Sequence, residues 1–455
     1  MIPEPAPKTR SLVLRLDMQF ERIRPSSKVV TMTLGLAIAV AGSSQVNPPA
    51  KEVAKPVETK FALTNVRIES PSGTLFKSGV IAWENGRIVS IGADAPKGDF
   101  KVLDGKGAWV YPGMIEPFLN RGSKPPAQTA NDVIDNTTTA PAFMRPLNRN
   151  GIRPELNPDE YLDLESVIAP LNEAGYVAAG IAPASGTIRG TLAATSLREG
   201  KREDILLKAK VAMVGAYTPG GLGGYPATEI GITALMRQTF YDSQRLLGVS
   251  GKDAPKEAAV LNSLGPVMDG RMPLAMIANS QYQIIRTLEF KAQFGFKLWL
   301  AGVTGANDMP MEMIPKDVEM IVSLTQRREP TNEGDTKVPG PVFAERKATY
   351  EKSLRNFADL ESAGFKPSIT AAGVTPNQIW GNLRNWVRVG ASKSSILEAM
   401  TSRPAALLGI SKEVGSLEVG KRAHIAVFDG DPFAEKTKMK MIVVDGVVKN
   451  LGGEK

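Results

Sequence analysis

Short apolar runs that alternate with amphipathic stretches across residues 175–410 constrain the fold of this chain most strongly. Runs of strand length occupy residues 175–183, 209–215, 273–278, 297–303, 318–324 and 366–373. The stretches between them carry apolar residues at helical spacing. Strands that alternate with amphipathic helices predict βα units around a parallel sheet, so the predicted class is α/β.

The length of this βα region separates two candidate architectures. About 300 residues of such units suit a (β/α)8 barrel, which usually takes about 250 residues. A doubly wound open sheet is the alternative, and the absence of a Gly-rich phosphate loop at the start of a helix disfavours it. The pattern therefore favours a barrel.

Both ends of the chain have a different pattern, of short strands with alternating apolar residues. Such strands are predicted at residues 61–70, 78–92, 102–113, 415–432 and 439–450. The dipeptides Asn85-Gly86 and Asp445-Gly446 are typical of type I′ hairpin turns, because both of their residues tolerate a positive φ. The ends therefore predict β structure on either side of the barrel region.

The N-terminal segment contains an apolar run preceded by basic residues that end at Lys28. The run, Val29 to Ala41, ends with Ala39-Val40-Ala41, a small-residue pattern typical of a signal-peptide cleavage site. It is shorter than the about 20 residues of a membrane-spanning helix, so no permanent membrane span is predicted. A buried core helix is the alternative, and the Pro- and Lys-rich linker that follows disfavours it. The segment predicts export through a Sec-type signal, to the periplasm or outside the cell.

Composition removes several classes of function. The chain contains no cysteine, which excludes disulfides, thiolate metal sites and an acylated-cysteine anchor. The net charge is +8, but the 55 Lys and Arg are interspersed with 47 Asp and Glu. Because no basic run is interleaved with aromatic residues, the charge pattern indicates a solvated surface and no nucleic-acid partner.

Motifs near both ends of the chain resemble those of a known family. The segments "NVRIES…GVIAWENGRIVSIGADA…VLDGKGAWVYPGMIE" and "ILEAMTSRPAALLGISKEVGSLEVGKRAHIAVFDGDP" are similar to the two ends of the amidohydrolase superfamily. The middle, including "GYPATEIGITALMRQTFYDSQ", resembles a subgroup of exported amidohydrolase-like proteins. The resemblance covers residues 61–450 and implies a distorted TIM (β/α)8 barrel beside a small β-sandwich that both chain ends form. It implies a signal peptide and linker at 1–60, the N-terminal half of the sandwich at 61–110, the barrel at 111–410 and the C-terminal half of the sandwich at 411–455.

The resemblance also implies where a metal site would lie, and this chain departs from the family there. Family members hold zinc or other divalent metals with a His-x-His pair, further His residues and an Asp, and the metal activates the attacking water. Aligned on "PGMIE", the His-x-His pair falls on Phe118 and Asn120, and later ligands fall near Asn279 and Ala371. The one histidine of the chain, His424, lies in the C-terminal strand region, where a structural role is expected. The metal positions are therefore degenerate, and no metal cofactor is expected.

Polar residues that follow the predicted strands are candidates for a pocket, because barrel sites form at the C-terminal ends of the strands. The pocket candidates are Arg121, Arg189, Gln281, Thr304, Asn307 and Thr370. Glu116 and Asp308 are weaker, catalytic candidates. If the fold brings them together, two carboxylates can carry out acid/base chemistry or ligate Mg²⁺ or Ca²⁺.

Two functions remain open from the sequence. The first is an exported pseudoenzyme of amidohydrolase fold that binds an unknown small molecule, or that assembles as a homo-oligomer or with a paralogous amidohydrolase subunit. The second is an active hydrolase of amides, cyclic amides or dipeptides that uses oxygen ligands or no metal. The scarcity of histidine favours the first.

Overall fold

The structure is a computed structural model and describes residues 60–126, 151–219, 226–252, 254–333 and 337–451. The predicted signal peptide and linker, except residue 60, lie outside these ranges. None of the helices in the described ranges is long and apolar enough to cross a membrane.

The described residues form short strands and helices that follow one another in the order expected for a barrel with β structure at both ends. The strands are β1 (Phe61–Ser70), β2 (Gly73–Glu84), β3 (Arg87–Gly92), β4 (Lys101–Asp104), β5 (Trp109–Pro112), β6 (Met114–Leu119), β7 (Tyr176–Ile181), β8 (Ile188–Thr191), β9 (Ala193–Ser196), β10 (Leu206–Lys208), β11 (Met213–Ala216), β12 (Leu274–Ile277), β13 (Leu298–Val303), β14 (Glu319–Ser323), β15 (Ser368–Thr370), β16 (Ile425–Phe428), β17 (Met439–Val444) and β18 (Val447–Asn450). The α-helices are α1 (Glu165–Ala174), α2 (Arg202–Ile205), α3 (Glu229–Leu246), α4 (Lys256–Leu261), α5 (Gly265–Met268), α6 (Gln281–Phe294), α7 (Gly340–Leu354), α8 (Asn356–Ser362), α9 (Pro376–Arg388), α10 (Lys393–Met400) and α11 (Ser402–Leu407). Short 3-10 helices occupy Pro158–Glu160, Asn262–Leu264, Ala306–Asp308 and Met311–Met313.

The two ends of the chain combine in one β structure, as predicted, and the expected small sandwich is one sheet in the described residues. Its strand order is β18-β17-β16-β5-β1-β2-β3, and β4 pairs with β1. The antiparallel pairing of β16 with β5 joins the C-terminal strands to the N-terminal ones. Apolar residues from both ends, including Ile81, Trp83, Ile425 and Val443, pack in one buried cluster. This sheet, which we call the chain-end sheet, therefore depends on both ends being present.

The two predicted hairpin turns are present and contact each other. Asn85 and Gly86 have φ values of 49° and 77°, and Asp445 and Gly446 have φ values of 49° and 79°, as a type I′ turn requires. The indole N–H of Trp83 donates to the carbonyl of Gly446 at 3.0 Å. These contacts bring the second strand of the chain against the last hairpin.

Two further sheets form the wall of the barrel. The first contains β6 and β7, which are parallel, and then β9 and β10, which are antiparallel additions. The second contains the parallel strands β11 to β15, with β8 antiparallel to β11 at its edge. Only Leu192 separates β8 from β9, so one bent segment takes part in both sheets and joins them.

The antiparallel direction of β8 and β9 distorts the barrel. A parallel neighbour of β7 would need a crossover of about a dozen residues or more, and residues 182–187 are too few for one. The chain therefore turns back, and the described wall consists of parallel strands with one antiparallel segment. The predicted distorted TIM barrel is confirmed, and this segment is one location of its distortion.

Residues on the barrel strands alternate between two apolar clusters. Leu274 and Leu300 lie in a cluster that includes buried residues from most of the helices, so they face outward. Ala275 and Ala301 lie in the second cluster, which consists mainly of strand and loop residues. Among the described residues, Ala405 is the one fully buried helix residue that it contains. Because successive strand residues point to opposite faces, the second cluster contains the side chains inside the barrel. We call it the interior cluster.

A substitution of Gly446 by Ala tests the contact between the two hairpin turns. A Cβ at Gly446 would lie 2.7 Å from the Cα of Gly86, whereas a Cβ at Gly420, where φ is 94°, would meet open space. Both substitutions place an L side chain at positive φ, which costs about 1–2 kcal/mol. We expect Gly446→Ala to lower the urea midpoint clearly further than Gly420→Ala. Equal midpoints would show that the turn contact adds nothing to stability.

Candidate functional site

The carboxylate of Glu116 lies where the first and last barrel strands meet. Glu116 is on β6 and is fully buried. One carboxylate oxygen accepts the backbone N–H of Phe118 at 3.0 Å, and the other accepts the backbone N–H of Ala371, just after β15, at 2.7 Å. The hydroxyl of Thr370 donates to the carbonyl of Phe118 at 3.1 Å. No strand ladder joins β15 to β6 within the described residues, so these side-chain hydrogen bonds connect the two strands. We call this junction the barrel seam.

Burial raises the pKa of Glu116 from its ordinary 4.5 to about 7. The loss of water disfavours the charged form of a carboxyl group. The hydrogen bonds at the barrel seam and the charge of Arg121 act in the opposite direction and only partly offset burial. Glu116 therefore holds its proton to a higher pH in the folded chain than in the unfolded one.

Phe118 fills the first position at which the resemblance implies a metal ligand. Its side chain is 4% exposed and packs in the interior cluster with Ile115, Val177 and other apolar side chains. Asn120, at the second such position, follows β6 and is exposed, as is Arg121. The structure therefore separates the two positions into one that packs inside the barrel and one that faces solvent.

Three further predicted residues lie together at the ends of β12 and β13. The hydroxyl of Thr304 donates to the carbonyl of Asn279 at 2.5 Å. The backbone N–H of Asn279 donates to the side chain of Gln283, in the first turn of α6, which begins at Gln281. A Cβ at Gly302, whose φ is 72°, would lie 2.9 Å from the side-chain oxygen of Asn279. The loop around Asn279 is thus tightly packed by its own neighbours.

Asn307 and Asp308 bind the helices that follow them. The amide of Asn307 donates to the carbonyl of Lys352 and to the carboxylate of Asp359, both at 2.8 Å. Asp308 forms an ion pair of 3.2 Å with Lys352, and its side chain is 49% exposed. The contacts of Asp308 lie on α7, whereas those of Glu116 lie at the barrel seam. The described residues show no contact between the two carboxylates.

Arg189 is a buried cation on β8, near the C-terminal ends of β7 and β11. It is 4% exposed, and its guanidinium donates to the carbonyl of Gly186 at 3.0 Å and to the hydroxyl of Thr218 at 3.1 Å. Its Nη1 is buried without a hydrogen-bond partner, and no carboxylate of the described residues pairs with it. Burial lowers the pKa of Arg189 to about 10, because the charged form is desolvated. An anionic ligand group would satisfy the remaining donor.

The histidine of the chain lies in the chain-end sheet, as expected. The ring Nε2 of His424 and the Oδ1 of Asp445 are 2.8 Å apart. The same carboxylate accepts from Arg422 at 2.9 Å and from Arg198, which follows β9, at 2.7 Å. The hydrogen bonds and charges of His424 and Arg422 hold the pKa of Asp445 well below its usual range, against the effect of burial. Sequence reasoning missed this cluster, because Asp445-Gly446 indicates only a turn.

The residues at the implied ligand positions do not fit a zinc ion. Phe118 and Ala371 carry no side-chain donor, Asn279 offers only an amide, and His424 lies elsewhere. Within the described ranges, no group of three or more His, Cys, Asp or Glu side chains is arranged to hold a metal. Zinc sites need three or four nitrogen, sulfur or carboxylate ligands, so no reaction step can be assigned to zinc at this position.

Comparison with known proteins gives one match to a family model and many to solved structures. The model of the Amidohydrolase family matches residues 322–451. No protein of curated function matches the chain in sequence. An amidohydrolase from Thermotoga maritima MSB8 shares the fold with a TM-score of 0.66 and 18% identity, over 85% of this chain and 99% of its own. A prolidase complexed with N-methylphosphonate-L-proline has a TM-score of 0.50 and 14% identity, over 86% of this chain and 100% of its own.

The barrel, with a sheet that both chain ends form beside it, is similar in fold to these solved structures. The predicted resemblance to the amidohydrolase superfamily is therefore confirmed for the fold, and for the sequence over residues 322–451.

The titration of Glu116 predicts how stability changes with pH. The unfolded chain releases this proton near pH 4.5 and the folded chain near pH 7. Between these values the folded state binds more protons, so stability falls as pH rises through the window and levels off above it. The expected loss is about 3 kcal/mol. We expect the unfolding free energy of Glu116→Gln to fall less than that of the wild type between about pH 4 and pH 8.

The matched control is Glu312→Gln, because Glu312 is an exposed glutamate of the same chain. Its unfolding free energy should follow the wild-type curve at every pH. Parallel curves for wild type and Glu116→Gln would show that Glu116 does not titrate in this window.

Proposed function

We propose that this chain is a non-catalytic protein of the amidohydrolase superfamily, which binds a small molecule or assembles with other subunits. The observation that carries the proposal is Phe118, an aromatic ring buried in the interior cluster at the first implied ligand position. An apolar ring supplies no electron pair for a metal, and its packing occupies space inside the barrel. A single histidine in the whole chain supports the same conclusion.

An active hydrolase with Glu116 and Asp308 as its carboxylate pair has less support. Both oxygens of Glu116 accept backbone N–H groups, and Asp308 pairs with Lys352. A general acid and base must reach the same substrate atoms, and these contacts direct the two carboxylates to different elements. The contacts of Glu116 instead favour a structural role at the barrel seam.

The proposal includes a location, a ligand class and a mode of action. The basic and apolar pattern at 22–41 supports export. In this proposal the chain functions without a metal cofactor. The unpartnered Nη1 of Arg189 favours a small molecule with an anionic group. The partner is a second copy of this chain or a paralogous amidohydrolase subunit that carries out the chemistry.

Metal content and hydrolytic activity test the proposal together. The protein is purified without chelator and subjected to elemental analysis, with a zinc-dependent amidohydrolase treated in parallel. It is then assayed with amides, cyclic amides and Xaa-Pro dipeptides, the last because a prolidase shares the fold. We expect no stoichiometric metal and no turnover above that of Glu116→Gln and Asp308→Asn. Stoichiometric zinc, or turnover that either substitution abolishes, would favour the active hydrolase.

Substitutions at the two implied ligand positions test whether Phe118 packs or reacts. Phe118→Ala removes a buried aromatic ring, and we expect it to cost about 3–5 kcal/mol of unfolding free energy. Asn120→Ala changes an exposed side chain and should cost less than about 0.5 kcal/mol. Chemical denaturation measures both. A stability loss of similar, small size at the two positions would contradict the packing role of Phe118.

A further inference from the structure

A cavity on the side of the barrel lies apart from the strand ends described above. Its volume is about 580 Å³, within the range of small-molecule sites. Two segments of the chain form it: residues 159–168, which run from the 3-10 helix into the start of α1, and residues 198–205. No function derived so far uses this cavity.

The cavity carries more negative than positive charge, although the whole chain is basic. Its charged lining residues are Asp159, Glu160, Glu165, Glu199, Arg198 and Arg202. Both arginines are already engaged: Arg202 pairs with Asp159, and Arg198 pairs with Asp445 at 2.7 Å. None of the described residues forms an ion pair with the three glutamates, although Glu160 lies close enough to Arg202 to interact with its charge.

Asp159 supplies a second, independent indication of a ligand. It is 3% exposed, and its Oδ2 accepts from Arg202. Its Oδ1 is buried without any hydrogen-bond partner. A buried carboxylate oxygen that lacks a donor costs free energy, and native structures normally satisfy such atoms. A ligand that donates an N–H here would remove this cost.

Apolar side chains form the rest of the lining. Leu162, Leu164, Ile168 and Ile205 lie beside the carboxylates. Gly200 keeps the cavity open, because a Cβ there would lie 2.6 Å from the Nη1 of Arg198 and 3.0 Å from the Cγ2 of Ile205. The lining therefore combines several carboxylates with an apolar wall, which suits a ligand that carries both a cation and an alkyl chain.

We propose that this cavity, which we name the acidic side cavity, binds a small organic cation in which an ammonium or guanidinium group is attached to an aliphatic chain. The cation would meet Asp159 and the glutamates, and the chain would lie on the leucine and isoleucine side chains. Planar guanidinium groups match carboxylates with paired donors. The described residues contain no group of three acidic or histidine side chains that could hold a metal, so an extended cation fits better than a divalent ion. The proposal holds whether or not the barrel is catalytic.

Agmatine is a suitable probe, because it joins a guanidinium and an ammonium through a short alkyl chain. Isothermal titration of the full chain with agmatine should show saturable binding at one site. Hexan-1-ol, which has the apolar portion without the charge, should not bind, and Mg²⁺ and Ca²⁺ should not compete. No binding of agmatine, or binding that Mg²⁺ displaces at equal concentration, would overturn the proposal.

Variants locate the binding. The double variant Glu165→Gln, Glu199→Gln removes two exposed carboxylates of the cavity and should weaken agmatine binding about tenfold. Glu173→Gln makes the same kind of change at an exposed position at the other end of α1, outside this cavity, and should leave binding unchanged. Gly200→Val narrows the cavity without changing its charge and should also weaken binding. Equal affinities for the double variant and Glu173→Gln would show that agmatine binds elsewhere, and the proposal would fail.

Discussion

The barrel depends on a buried carboxylate at the place where its first and last strands meet. Glu116 and Ala371 are 255 positions apart in the chain, yet the carboxylate of one accepts the backbone N–H of the other. Bringing such distant segments together costs chain entropy, and the hydrogen bonds that the buried carboxyl group accepts help to offset this cost. The closure of the barrel thus gives the acid of the "PGMIE" motif a structural role.

This structural role clarifies what the motif retains and what it has replaced. Gly113, whose N–H donates to the carbonyl of His424, and Glu116 hold β6 in place between the chain-end sheet and β15. Phe118, only two residues further, lies in the interior cluster where the family resemblance implies a metal ligand. Fold and chemistry are therefore separable within one short strand, because the backbone hydrogen bonds to Glu116 do not depend on which side chain occupies position 118.

The chain-end sheet and the barrel are connected by a second set of buried charges. Asp445 accepts from Arg422 and lies within hydrogen-bond distance of His424, both in the sheet region, and it also accepts from Arg198, which follows barrel strand β9. The hydrogen bonds and charges of His424 and Arg422 account for its depressed pKa despite burial. The one histidine of the chain is thereby used in the joint between the sheet and the barrel.

The sequence by itself determined the order of the elements, the two hairpin turns and the scarcity of histidine, because these depend on local periodicity, turn chemistry and composition. The predicted runs at 175–183 and 366–373 contain the whole of β7 and β15, respectively, and the run at 209–215 contains most of β11. Tertiary structure decided the rest. A register irregularity between Glu116 and Leu119 breaks simple alternation and brings both Ile115 and Phe118 into the interior cluster. Strand register and loop paths, which no local pattern encodes, also placed Asp308 away from Glu116 and assembled the acidic side cavity from two separate segments.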